Sequence, residues 1–170
     1  MPITSEVIKI AAVLASGGTG AAIDYYTRRV PNVLTVSAAA LGVLAAALGL
    51  GDLTVSAALV GFFTGLLVML PGHLFGGTGG GDVKLMAALG AWLGPSLIVK
   101  VFLYSAIAGG ALALIVAARR HRVGRTFRGV GRLIATPVSA RQDVTATEAD
   151  NRFPYAPAIA TGSLLVVLGF

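Results

Sequence analysis

Two of the seven acidic residues, Asp24 and Asp82, stand where apolar runs meet polar or glycine-rich sequence. When two carboxyls share one proton, one can take a proton from water while the other donates to a carbonyl oxygen, which is the acid–base work of hydrolysis. Each acid also has a plainer reading. Asp24 precedes Arg28 by four positions and would pair with it on a helix. Asp82 follows a glycine run and precedes helix-forming residues, a position that suits an N-terminal cap and is compatible with catalysis. Paired acids inside a membrane can instead relay protons or ions. The run Gly79-Gly80-Gly81 is not a phosphate-binding loop, because Asp82 stands where Lys and Ser or Thr would follow, and its charge repels phosphate. There is no cysteine, and His73 and His121 lack metal-ligand spacing. Neither a thiolate nucleophile nor a metal or other cofactor is expected.

The elements that must position these acids are apolar. Of 170 residues 56% are hydrophobic and only 12% charged, and the apolar residues run continuously instead of forming one face of each helix. Continuous runs near 20 residues mark membrane spans. The pattern predicts an all-α integral membrane protein of one domain with six transmembrane helices, at about 5–24, 32–50, 53–71, 82–94, 96–118 and 154–170. A basic loop covers 119–153. Pro31 and Asn32 suit the start of the second helix. Gly94 and Pro95 stop the fourth. Gly61 and Gly65 form a G-x-x-x-G pair that permits close helix approach, although such pairs are common by chance in glycine-rich spans.

Positive charge orients these spans. Arg28 and Arg29 lie in the first loop, Lys84 beside the third, and eight arginines between 119 and 152 in the fifth. The second loop carries only Asp52, and the turn at Gly94 and Pro95 is uncharged. The odd loops are therefore expected to be cytoplasmic and both termini outside, with Lys9 and Lys100 snorkelling near outer ends and Trp92 as an outer interfacial anchor. The first helix then ends, and the fourth begins, on the cytoplasmic side, so both acids reach the same depth. Only about 18 Å of helix separates Asp82 from Gly94 at 1.5 Å per residue, against a hydrocarbon core of about 30 Å. This recesses Asp82 into the membrane, where a charge needs a wet cavity or a partner. The net charge of +6 is read as orientation and contact of the 119–152 loop with anionic lipid, not as nucleic-acid binding. Contact of the loop's arginines with partner proteins is the other reading.

Gly79 to Leu85 fits G-x-G-D-V-K-L, and Asp24 precedes Arg29, Val30, Pro31 and Asn32. Pro154, Tyr155 and Pro157 give a Pro-aromatic-x-Pro opening to the last helix. In these three segments, met in order over nearly the whole chain, the sequence resembles the type IV prepilin peptidases, membrane aspartyl proteases of the G-x-G-D class. The resemblance implies Asp24 and Asp82 as catalytic residues. Gly79, Gly81, Lys84, Arg29, Pro31 and Asn32 are then expected to bind substrate or shape the site, the glycines by letting an extended substrate backbone come close. Lys84 has two open roles, tuning the acid pair or binding lipid phosphate. The implied substrate is a pilin-like precursor with a short basic leader, cut on the cytoplasmic side of a prokaryotic inner membrane. The absence of a cysteine-bearing amino-terminal segment implies the short form that cleaves without methyl transfer. A proton or ion conductor and a non-catalytic assembly factor with the same fold are the competing readings. Oligomeric state is not legible.

Overall fold

A computed structural model describes residues 3–27, 30–74, 78–119 and 155–169. It contains five helices among these residues: α1 (Ile3–Thr27), α2 (Asn32–Ala47), α3 (Val55–Leu74), α4 (Gly80–Arg119) and α5 (Ala156–Val167). The expected all-α character is present. Arg29 and nearly all of the basic loop lie outside the described residues.

Local chemistry sets most helix ends. Pro31 caps α2 with extended backbone, φ −63° and ψ 137°. At the other end Gly49 adopts φ +64°. Leu50 N–H reaches back to the Ala45 carbonyl at 3.0 Å, and Gly49 N–H to Ala46 at 3.3 Å. This is a Schellman closure, and it ends α2 short of the expected residue 50. α3 begins at the Thr54 cap, whose hydroxyl accepts the Ala57 N–H at 3.2 Å.

The expected helices 82–94 and 96–118 form one element, α4, interrupted at Gly94 by a non-helical φ of +77° and ψ of 175°. Its two arms meet again at Tyr155. The Asp82 charge reaches the Tyr155 phenol, and a methyl group at Gly109 would touch the Tyr155 ring. At 1.5 Å per residue the arms run about 18 and 23 Å from Gly94 to those two points. They converge only because α4 doubles back at Gly94.

The count of six full spans is corrected accordingly. By length and composition three helical stretches could cross a membrane, Glu6–Asp24, Val55–Leu74 and Gly80–Leu112, the last of them folded back at Gly94 within its length, whereas α2 and α5 are shorter apolar helices. At 16 and 12 residues they rise about 24 and 18 Å, less than the roughly 30 Å hydrocarbon core.

The first arm of α4 is the axis of the bundle. Leu85, Met86, Ala87, Ala88 and Leu89 are all fully buried, and α4 contacts each of the other four helices. A helix apolar all round is one enclosed on every side. The outer helices do the reverse: Val33, Phe63, Leu67 and Ile107 are each more than half exposed, a surface suited to lipid. Small residues bring α3 onto this axis. Gly61 lies against Gly90 and Gly94, and Gly65 against Met86 and Ala87, so the G-x-x-x-G pair is a true crossing point. Lys9 does not simply snorkel: it pairs with Glu6 at 3.1 Å and with Asp52 at 3.8 Å. Trp92 is half-buried, and its ring N–H donates to the Ala38 carbonyl at 2.8 Å, tying α4 to α2.

Candidate active site

Because the axial arm begins at Gly80, its first turn opens in the middle of one end of the bundle. Asp82 sits there, 6% exposed. It is not the helix cap. It occupies the third helical position, and its Oδ2 reaches back to accept the Gly79 N–H at 3.0 Å. That is the side-chain half of a capping box. Its other oxygen, Oδ1, is buried without a hydrogen-bond partner.

Asp24 arrives from α1, one turn before its end, and is 7% exposed. The backbone N–H of Ala156, at the start of α5, bonds its carboxylate, while Oδ2 is buried without a partner. α1 and α5 can approach closely because Gly17 faces Ala160 and Ser163. α1 meets the axial arm where Gly20 faces the Leu85 side chain. The result brings the two acids, 58 positions apart in sequence, near enough for their charges to act on each other. Both acids thus lie at one end of the bundle.

The other expected residues divide. Gly79 supplies the N–H that holds Asp82, and a methyl there would sit 3.2 Å from Oδ2. Gly81 is packed by the chain itself: a methyl would come within 3.0 Å of the Val30 Cβ and 3.2 Å of the Val30 nitrogen. Its missing side chain lets the α1–α2 connection lie across the start of α4. Lys84 is exposed and donates to Asn32 Oδ1 at 2.8 Å, linking the starts of α2 and α4. Pro31 is exposed beside them. Arg29 is outside the described residues.

Two further residues belong to this site. His73, near the end of α3, uses Nδ1 against the Thr78 carbonyl at 2.9 Å. A carbonyl only accepts, so Nδ1 carries the hydrogen. The ring covers Gly80, where a methyl would lie 3.5 Å from Cε1, and its charge acts on Asp82. Thr78 presents a buried hydroxyl with no partner. The sequence sign for His73 was its place beside the glycine run, which a search for metal-ligand spacing passes over.

Buried polar atoms in proteins almost always have partners. Here three orphaned oxygens, on Asp24, Asp82 and Thr78, belong to the same end of the bundle. Two carboxylates anchored by backbone amides, each with an oxygen left over, suit a water molecule and a polar substrate. No group of three or more metal-ligating side chains occurs among the described residues.

A profile of the type IV leader peptidase family matches residues 11–114, which include both acids and the axial arm. The chain belongs to the type IV leader peptidase family. Among its relatives is a prepilin leader peptidase/N-methyltransferase of Bacillus subtilis (strain 168), 31% identical over 116 residues, or 63% of this chain and 37% of the relative. A protein of the same name from Burkholderia pseudomallei (strain 1026b) is 54% identical over 39 residues, 23% of this chain and 13% of the relative. The match thus spans little more than a third of the length of the Bacillus subtilis relative and 13% of the Burkholderia pseudomallei one. No solved structure matches it.

Proposed function

We propose that this chain is an aspartyl endopeptidase that removes the short basic leader from pilin-like precursors at the cytoplasmic face of a prokaryotic cell membrane. The observation that carries the reading is the meeting of Asp24 and Asp82, each nearly buried, each fixed by a backbone N–H and each with a free oxygen. Family membership supports a peptidase, and the relatives' names support a prepilin as the substrate class.

In this mechanism the pair shares one proton. The ionised carboxylate takes a proton from a water molecule as the water oxygen bonds to the scissile carbonyl carbon. The protonated carboxyl gives its proton to the carbonyl oxygen, forming a neutral gem-diol. One carboxyl then gives its proton to the peptide nitrogen while the other carboxylate takes a proton from a gem-diol hydroxyl. The C–N bond thereby breaks to a carboxylic acid and an amine, and the pair again shares one proton. The low-dielectric surroundings strengthen each of these interactions relative to water.

The cytoplasmic placement rests on the arginines at 28, 29 and 119–152. Methyl transfer, which both relatives carry in their names, is not part of the proposal. Anionic lipid contact by the basic loop is retained as part of it. The test is cleavage of a pilin-like precursor in membranes containing the wild type, Asp24→Asn or Asp82→Asn. Each substitution keeps size and hydrogen bonding but removes the acid, and is expected to slow cleavage by about 10²–10⁴-fold. Undiminished cleavage in both variants would sink the catalytic assignment, and ion flux without cleavage would favour a conductor.

A further inference from the structure

The second feature of the fold lies on the other side of the axial arm. There α2 and α3 stand apart and leave a cleft of about 740 Å³ with Lys84 and Ala87 of α4 on its floor. Val36 and Val43 line one wall, Phe62 and Leu66 the other. Thr35 also lines it, but its hydroxyl is satisfied internally by the Asn32 carbonyl at 3.1 Å. Among the described residues lining the cleft, Lys84 is the only charged one.

Lys84 is two residues from Asp82, which is about 200° around a helix of 3.6 residues per turn. The cleft therefore opens away from the catalytic carboxyls, and a peptide lying in it would not lead to them. Its α2 wall, from Thr35 to Ala47, rises about 18 Å. That is close to one leaflet, half of a hydrocarbon core of about 30 Å. A trans-bilayer helix is longer than this groove, whereas an acyl chain of one leaflet fits it. At the polar end the Lys84 ammonium is steadied by Asn32 Oδ1 at 2.8 Å. One of its three N–H groups is used there, and the others remain for an anionic oxygen. The Asn32 amide, turned oxygen-first to the lysine, offers its N–H groups beside them.

We propose that this cleft binds a phospholipid with an anionic headgroup, its acyl chain between α2 and α3 and its phosphate region on Lys84 and Asn32. This assigns Lys84 the lipid role of the two that the sequence leaves open. It does not rest on the peptidase reading.

Trp92 is the only tryptophan, so Trp92→Phe with Phe62→Trp places a single fluorophore in the cleft. The protein is reconstituted in phosphatidylcholine vesicles with increasing fractions of acyl-brominated phosphatidylglycerol or acyl-brominated phosphatidylcholine. The anionic phosphatidylglycerol is expected to half-quench at a mole fraction about fivefold lower, the weight of one lysine near an anionic headgroup. Lys84→Gln should abolish that difference and Lys84→Arg should keep it. Equal quenching by the two lipids overturns the site, and so does an unchanged preference in Lys84→Gln. Release of quenching by an added pilin-like precursor would give the cleft to a peptide and overturn the lipid assignment. Comparison of the two lipids with Lys84 intact decides the matter even where a lysine variant fails to fold.

Discussion

Replacing Gly65 with alanine tests whether the α3–α4 crossing holds the axial arm, and with it Asp82, in place. A methyl group there would stand 2.9 Å from the Met86 carbonyl carbon, nearer still to its oxygen, and 3.1 Å from the Ala87 Cα. Comfortable separations between carbon atoms are about 3.5–4.0 Å. The helices must part by roughly 0.5–1 Å, and the partner atoms are backbone, which cannot rotate aside. Overpacking of this kind costs about 1–3 kcal/mol. Alanine also gains up to about 1 kcal/mol over glycine inside a helix, so a control is needed. Gly18 supplies one, because it lies within α1 and a methyl added there would meet nothing inside 4 Å. Reversible unfolding in mixed micelles, titrated with sodium dodecyl sulfate, should rank Gly65→Ala below Gly18→Ala by about 1–3 kcal/mol. Equal stability of the two variants would refute the claim that this crossing is tight, and with it the role given to the glycine pair.

Gly81→Ala should push against Val30 at 3.0–3.3 Å and lower precursor cleavage about tenfold, equivalent to roughly 1.4 kcal/mol; adding Val30→Ala should restore part of it in the same assay. His73→Phe removes the donor to the Thr78 carbonyl, while His73→Asn can still offer an N–H. The phenylalanine variant should therefore lose more kcat than the asparagine variant, by about fivefold for a hydrogen bond worth about 1 kcal/mol, and equal losses would remove the positioning role. Trp92→Phe deletes the 2.8 Å bond to Ala38 and should cost about 1 kcal/mol of stability in the micelle titration.

Much of this arrangement is legible from the chain alone because lipid imposes simple rules. Continuous apolar runs give helices, and Gly94 before Pro95 gives the turn in α4. The meeting of Asp24 and Asp82 follows from which ends those helices share. What escapes is anything decided by rotation about a helix axis. Lys84 and Asp82 are neighbours in sequence, yet only the orientation of the axial arm sends one to Asn32 and the other to Gly79. Gly81 looks like room for a substrate until Val30 is seen filling it. His73 is nine positions from Asp82, a spacing with no helical or strand period, because Thr78 and Gly79 between them are not helical. The end of α2 is missed by three residues, since Leu48, Gly49 and Leu50 are as apolar as the helix and only the positive φ at Gly49 ends it.

The reversal at Gly94 also bears on how the protein is made. The arm from Gly80 to Gly94 is too short to hold a bilayer by itself, and it carries an acid near its start. A translocation channel that sorts segments by their apolar length would have little reason to release it into lipid. Joined through Gly94 and Pro95 to the long apolar arm that follows, it can enter as half of a helical hairpin, with the second half supplying the partition energy. On insertion as a hairpin, the residues after the turn would carry the arm that bears Asp82 in with them.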